Sequence, residues 1–215
     1  MIAPDVIEIS VSRPPGFDFD AGQHVQLGVL ALDGRDPHGR SRVFSITSSP
    51  NDRDILAVAF RRSPSAYKRT LAGLAFGSTV RLSGPYGHVT LTRKSDRPRV
   101  LVAFGVGITP HVSMIRFASE EALDVPIAVL HVANHERRVA YADELTRCAA
   151  ENPAIRLLAR SSSLALADLE RARDEHPHAI WYLSGPPTRV GSAVADLRGL
   201  GVPERDIFTE EFIGY

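Results

Sequence analysis

From Val100 onward, short apolar runs alternate with stretches of helical pattern, and that alternation leaves few folds open. The runs are Val100–Phe104, Ile127–Val132, Ile155–Ala159, Ala179–Leu183 and Ile207–Thr209. Between them lie a helix starting at Thr109 and helices over Tyr141–Ala150, Ala165–Glu175 and Thr188–Leu200. Strands this short, each followed by a helix, connect by right-handed crossovers into a parallel sheet. A ligand of such a sheet sits at the carboxyl ends of its strands, near the switch point of the strand order.

The chain before this region has a different texture. Short strands are predicted over Val6–Val11, His24–Val29, Val43–Thr47, Ile55–Arg61, Thr79–Leu82 and His88–Leu91, broken by Gly, Pro and Asp. Ile7, Ile9 and Val11 alternate with polar neighbours, as a half-buried strand requires. One short helix is predicted, Ser65–Leu74. This pattern predicts a small antiparallel β-barrel. The polar stretch Arg93–Pro98 separates the halves, so the expected division is residues 1–95 and residues 98–215.

Composition removes several functions. The 25 basic and 25 acidic residues cancel, which argues against non-specific nucleic-acid binding and a polybasic membrane patch. A single cysteine, Cys148, excludes an intramolecular disulfide, a Cys-rich zinc site and a cysteine-ligated iron–sulfur cluster held by this sequence. The longest apolar stretch, Val100 to Ile108, has nine residues, against the ~20 of a transmembrane helix. The first residues show no signal-peptide pattern, and the expectation is a soluble, cytoplasmic protein. His131 and His135 fall on a predicted strand and loop, and read as surface histidines rather than metal ligands.

Two turns carry glycine where a ligand of the sheet would approach. In Gly105-Val106-Gly107-Ile108-Thr109-Pro110, the glycines permit a tight turn and close backbone approach to a phosphate. Thr109 is expected to cap the helix and Pro110 to sit in its first turn. Ser184-Gly185-Pro186-Pro187 follows the fourth strand and belongs on the same rim. In the first half, alternation along Arg42-Val43-Phe44-Ser45 puts Arg42 and Phe44 on one face, Val43 and Ser45 on the other. Arginine suits two-pronged phosphate contact, and an aromatic ring suits stacking.

In this order these segments resemble the ferredoxin–NADP(+) reductase superfamily. Arg42–Ser45 is similar to its R-x-Y-S flavin motif, with Phe for Tyr, and 105–110 and 184–187 to its nucleotide turns. Gly22-Gln23 and Gly84-Pro85-Tyr86-Gly87 match further segments, and Glu210–Tyr215 resembles an E-x-F-x-G-Y tail. The resemblance covers residues 5 to 215, and implies a flavin-binding antiparallel barrel followed by a pyridine-nucleotide domain.

By that resemblance, Arg42 would contact the phosphates of a bound FAD (FMN being the lesser expectation), with Val43 among the cofactor-binding residues. Phe44 would pack on the ribityl and ring region, and Ser45 would lie near flavin N5. Ser65, Ala66, Tyr67, Lys68 and Arg69 fall where the family's second phosphate segment lies. Gly105, Gly107, Thr109 and Pro110 would hold NADPH or NADH, with Ser184, Gly185 and Pro186 beside the nicotinamide. Arg137 and Arg138, and Arg160 with Ser161, lean the coenzyme choice towards NADPH. Tyr215 would cover the flavin as a displaceable lid, so Ser45, Ser184 and Tyr215 are the residues expected at the reaction.

The activity implied is hydride transfer from NAD(P)H to flavin. Electrons would then pass to an external ferredoxin, flavodoxin, oxygenase component, haem protein or small oxidant. A non-catalytic flavin or nucleotide sensor, or the reductase piece of a larger redox chain, are the alternatives. The family also has a strand before the segment resembling Val6–Val11, so a missing seam strand or an absent N-terminal segment is expected.

Overall fold

The computed structural model describes residues 2–91, 96–133, 139–161 and 163–212. In the first half, β1 (Val6–Ser12) runs antiparallel to β4 (Ile55–Arg61). A second antiparallel sheet has the order β3 (Ser41–Ser45), β2 (His24–Val29), β5 (Val80–Tyr86). The two sheets meet because the chain leaves β3 and crosses to β4. Ile46 bridges Val58, and the Thr47 amide donates to Ala57 O at 2.8 Å. That crossing ends β3 two residues before its predicted limit.

Val25, Leu27, Phe44, Ile46, Leu56, Val58 and Phe60 fill the space between the sheets, and α1 (Ala66–Ala72) closes one end with Tyr67 and Leu71. Ser65 caps α1, its hydroxyl accepting from the Lys68 amide. Among the described residues, the outer edges of β1 and β5 pair with no further strand. The strand expected over His88–Leu91 does not form. The chain there crosses Gly22 so closely that a β-carbon on Gly22 would stand 2.3 Å from Val89 O, and only Leu91 bonds back, to Ala21 O.

The second half is a parallel sheet of five strands in the order β10 (Ile207–Glu211), β9 (Ile180–Gly185), β6 (Arg99–Phe104), β7 (Ile127–Val132), β8 (Ile155–Ser161). Central β6 is buried on both faces, and its side chains divide by alternation. Leu101 and Ala103 join the core under α2 (Ile108–Glu120) and α3 (Ala142–Glu151). Val100, Val102 and Phe104 join the core under α4 (Leu166–Glu175) and α5 (Pro187–Gly199). The chain therefore winds outward from β6 to β8, returns to β9 on the other side of β6, and leaves its switch point between β6 and β9.

α2 is buried almost all round because the first half packs on its other side. A β-carbon on Gly22 would also lie 2.3 Å from the Met114 methyl, and Ala21, Ala59 and Leu91 share the α2 core. Polar groups fix this interface. Ser113 Oγ donates to Ser48 O at 2.7 Å, and Arg116 donates to Thr47 O at 2.7 Å and to both oxygens of Glu144. Glu8 accepts from Thr47 Oγ1 and from the hydroxyl of Tyr141. Among the described residues, no helix is long and apolar enough to cross a membrane.

Candidate functional site

A cavity of about 550 Å³ opens where the two halves meet at the carboxyl rim of the parallel sheet. Its volume is that of a site for a small organic ligand. From the first half come His24, His38, Arg42, Val43, Phe44, Ser45 and Lys68, and from the second Val106, Thr109 and Glu210–Phe212.

At one end Arg42 is built into the wall. Its Nη1 donates to the carbonyls of His38, Gly39 and Ser41, its Nη2 reaches Asp36 Oδ1 at 2.6 Å, and its guanidinium lies 4.9 Å from the Tyr67 ring centroid. Asp36 also accepts from Ser65 Oγ at 2.7 Å and the Tyr67 amide at 3.0 Å, tying β3 to the head of α1. The Ser65 hydroxyl, then that amide, hold the Asp36 carboxyl well below the usual carboxylate range, against burial. Lys68 lines the same end, 7% exposed, and burial followed by the charges of Arg42 and Arg61 lowers it to about 8. Lys68 thus brings a largely buried amine to the same end of the cavity as the Arg42–Asp36 pair.

The alternation expected along β3 holds. Arg42 and Phe44 both meet Tyr67, Val43 is half exposed, and Ser45 turns the other way towards β10. Phe44 belongs largely to the core, stacked on Tyr67 and tilted against Phe60, while also bordering the cavity. Ser45 Oγ donates to Glu210 Oε1 at 2.9 Å, and His24 Nδ1 stands 3.8 Å from the same oxygen. Burial raises the Glu210 carboxyl to about 7, with the Ser45 hydrogen bond pulling the other way, and burial lowers His24. The Glu210 carboxyl can therefore hold or release a proton near neutral pH while Oε1 accepts from Ser45.

The two glycine turns sit against each other at the switch point. Residues 105–107 form a 3₁₀ turn and α2 begins at Ile108, so Thr109 lies inside the helix instead of capping it. The turn itself supplies the helix start, and Thr109 Oγ1 donates to Val106 O at 3.1 Å. A β-carbon on Gly107 would lie 2.3 Å from Ser184 O, and one on Gly185 would lie 2.8 Å from the Phe104 β-carbon. Only glycine allows this contact. Ser184 Oγ donates to Gly107 O at 2.6 Å. His131 is 2% exposed, and its Nε2 lies 2.9 Å from Gly105 O, so it is no surface histidine.

The structure thus brings Arg42, Val43, Phe44, Ser45, Lys68 and Thr109 to one cavity, with Gly105, Gly107, Ser184, Gly185 and Pro186 on the adjoining rim. Pro110 follows Thr109 within the first turn of α2. Ser65 and Tyr67 serve Asp36, while Ala66 and the Tyr67 ring are core. Arg137, Arg138 and Tyr215 lie outside the described residues, as does the Arg160 side chain. Asp36, His24, His111 and Glu210 were not singled out from sequence. Glu210 alone carried a signal, its place in the E-x-F tail pattern.

An antiparallel β half thus docks on a parallel α/β half, and the cavity lies between them at the switch point. The family model for the oxidoreductase NAD-binding domain matches residues 101–167. Ferredoxin–NADP reductase B of Sorangium cellulosum (strain So ce56) is 35% identical over 158 residues, covering 72% of this chain and 63% of that protein. The propane 2-monooxygenase reductase component of Gordonia sp. (strain TY-5) is 25% identical across 98% of this chain and 64% of its own length. An NADPH oxidoreductase of Mycobacterium tuberculosis (strain ATCC 25618 / H37Rv) is 31% identical over 75% of this chain and 43% of itself. The chain thus spans 43% to 64% of the length of these relatives.

In fold, the FAD/NAD-binding domain of a Vibrio cholerae nitric oxide dioxygenase superposes with a TM-score of 0.83 at 20% identity, covering 99% of this chain and 94% of that one. Phthalate dioxygenase reductase superposes with a TM-score of 0.74 at 23% identity, covering 98% and 64%. The chain belongs to the ferredoxin–NADP(+) reductase superfamily.

Proposed function

We propose that this chain is an NAD(P)H-dependent flavoprotein reductase. In this reading residues 1–95 bind FAD, residues 98–215 bind the pyridine nucleotide, and the electrons leave to a separate acceptor. The single observation that carries the reading is the cavity at the switch point. One wall holds Arg42, Lys68 and the Ser45–Glu210 pair, and the other holds the turn that follows β6. The cationic end suits a phosphate, Phe44 borders space for a flat ring system, and the glycine turns, packed on each other, present the start of α2 to a nucleotide phosphate.

When bound, the flavin supplies the redox chemistry, taking hydride from the nicotinamide and passing electrons on. The chain's residues bind and orient. Arg42 and Lys68 neutralise phosphate charge, and the Ser45 hydroxyl and Glu210 carboxyl hold a proton at the inner end of the cavity. Gly105, Gly107, Thr109 and Pro110 receive the nucleotide, with Ser184, Gly185 and Pro186 beside its nicotinamide. Tyr215 acts as the displaceable lid over the flavin face. Arg137 and Arg138 favour NADPH by receiving its 2′-phosphate.

The acceptor is an external redox protein, such as a ferredoxin or an oxygenase component. The sequence's one cysteine, Cys148, is a buried residue of α3 in the core shared with α2, where burial raises its thiol. The setting is the cytoplasm.

Purified protein should be yellow and should bleach under anaerobic NADPH, more slowly under NADH. Full-occupancy flavin that neither nucleotide reduces would make the protein a sensor. Lack of any flavin binding would end the reading.

A further inference from the structure

Each of the three carbonyls in the 105–107 turn accepts from a side chain. Gly105 O faces His131 Nε2 at 2.9 Å, Val106 O accepts from Thr109 Oγ1 at 3.1 Å, and Gly107 O accepts from Ser184 Oγ at 2.6 Å. Behind Ser184 stands His111, fully buried in α2, with Nε2 3.2 Å from that hydroxyl. The proton positions follow from the partners. A carbonyl only accepts, so His131 Nε2 carries the hydrogen. Ser184 spends its single O–H on Gly107, so its oxygen accepts from His111, whose Nε2 also carries the hydrogen. Both histidines therefore donate through Nε2. His111 Nδ1 is buried with no hydrogen-bond partner, so a second proton on that ring would have nowhere to go.

In a trans peptide a carbonyl and the next N–H point in opposite directions. Gly105 O and Val106 O also accept from the Ile108 amide. Pinning Gly105 O on His131 as well turns the Val106 amide away from β7, and Val106 O held on Thr109 leaves the Gly107 amide pointing away from α2. Val106 lines the cavity. We propose that His131 and His111 are positioning residues for pyridine nucleotide, fixing the peptide planes of the 105–107 turn so that its amides are preset for the pyrophosphate. His131 acts on Gly105 directly, whereas His111 acts through Ser184 on Gly107 O and so holds the turn against β9, the Ile108 amide that follows being spent on Gly105 O and Val106 O. The proposal rests on the reading of this turn as the nucleotide site.

The test is calorimetric titration of the purified holoprotein with NADP(+) and NAD(+), alongside flavin content and thermal unfolding. His131→Leu and His111→Leu should each weaken the nucleotide that wild type binds by roughly tenfold, the loss of about one buried hydrogen bond. Flavin content should stay at the wild-type level. His131→Gln, whose amide nitrogen reaches the place of Nε2, should restore affinity. Ser184→Ala removes only one oxygen and carries the test if a leucine variant does not fold. It should weaken nucleotide binding, and His111→Leu should then add little to it. Wild-type affinity in His131→Leu, equal weakness in His131→Gln and His131→Leu, or loss of flavin together with nucleotide would each overturn the proposal. If wild-type protein binds neither nucleotide, the functional reading fails and takes this inference with it. If wild type binds and the leucine and alanine variants match it, the inference alone fails.

Discussion

Acidification from pH 7 to pH 5 should destabilise the native fold by about 2 kcal/mol through His111 alone. Burial, with a smaller contribution from the neighbouring His131, pushes this histidine down to about 3 in the folded protein. In the unfolded chain it titrates near 6.5. Below that value the unfolded state takes up a proton that the native state refuses, so stability falls with falling pH until the folded value is reached. The window is therefore roughly pH 6.5 down to 3, at about 1.4 kcal/mol per unit within it.

Urea unfolding, followed by the fluorescence of Trp181, reads this directly. Trp181 is the sequence's one tryptophan, 1% exposed in β9, three residues before Ser184. Wild type and His111→Leu carry the same carboxylates, so those contributions cancel in the difference. The gap between the two proteins should move by about 2 kcal/mol between pH 7 and pH 5, with the variant relatively more stable in acid. An identical pH slope in both would show that His111 is not held neutral and would refute the proton assignment at the turn.

Arg42→Ala should remain folded but purify with much less flavin, and Arg42→Lys should not rescue it, because lysine cannot span Asp36 and three carbonyls at once. Absorbance at the flavin band against protein measures both. Glu210→Gln should remove a fall in stability between about pH 4.5 and 7. Across that window the unfolded carboxyl has lost its proton while the buried one, raised to about 7, still holds it. A denaturation series at three pH values would expose an unchanged slope. Gly107→Ala should cost about 1–3 kcal/mol by overpacking, since the new carbon meets Ser184 O at 2.3 Å, and should weaken nucleotide binding. Unaltered urea midpoint and affinity would mean that the turns can part freely. Deleting Tyr215 should tighten NADP(+) binding and slow product release with the fold intact. Unchanged affinity together with an unchanged flavin spectrum would remove its role as a lid.

The order of elements was legible in the chain because it is written in local chemistry. Short apolar runs such as Val100–Phe104, bounded by Gly-bearing segments and separated by longer helical patterns, read as buried strands with turns after them. The same locality made Arg42–Ser45, Gly105–Pro110 and Ser184–Pro187 stand out, since each motif is contiguous. Local reasoning failed where a distant contact decided the outcome. Thr109 looked like a cap, but the 105–107 turn tightens into 3₁₀ geometry against β9 and starts the helix earlier. His88–Leu91 looked like a strand, but its place is fixed by crossing Gly22.

Tertiary structure alone decided the chemistry of the cavity. Ser45 and Glu210 meet across 165 positions, and Ser184 and His111 across 73. Asp36 reads as one more loop carboxylate until folding closes it over Arg42, Ser65 and the Tyr67 amide. Sequence by itself determined which segments become strand, helix and turn, and therefore the two-part fold. Burial and the charges of remote residues set proton affinities and orient donors. They exist only once the first half has packed on α2 and β9 has returned beside β6.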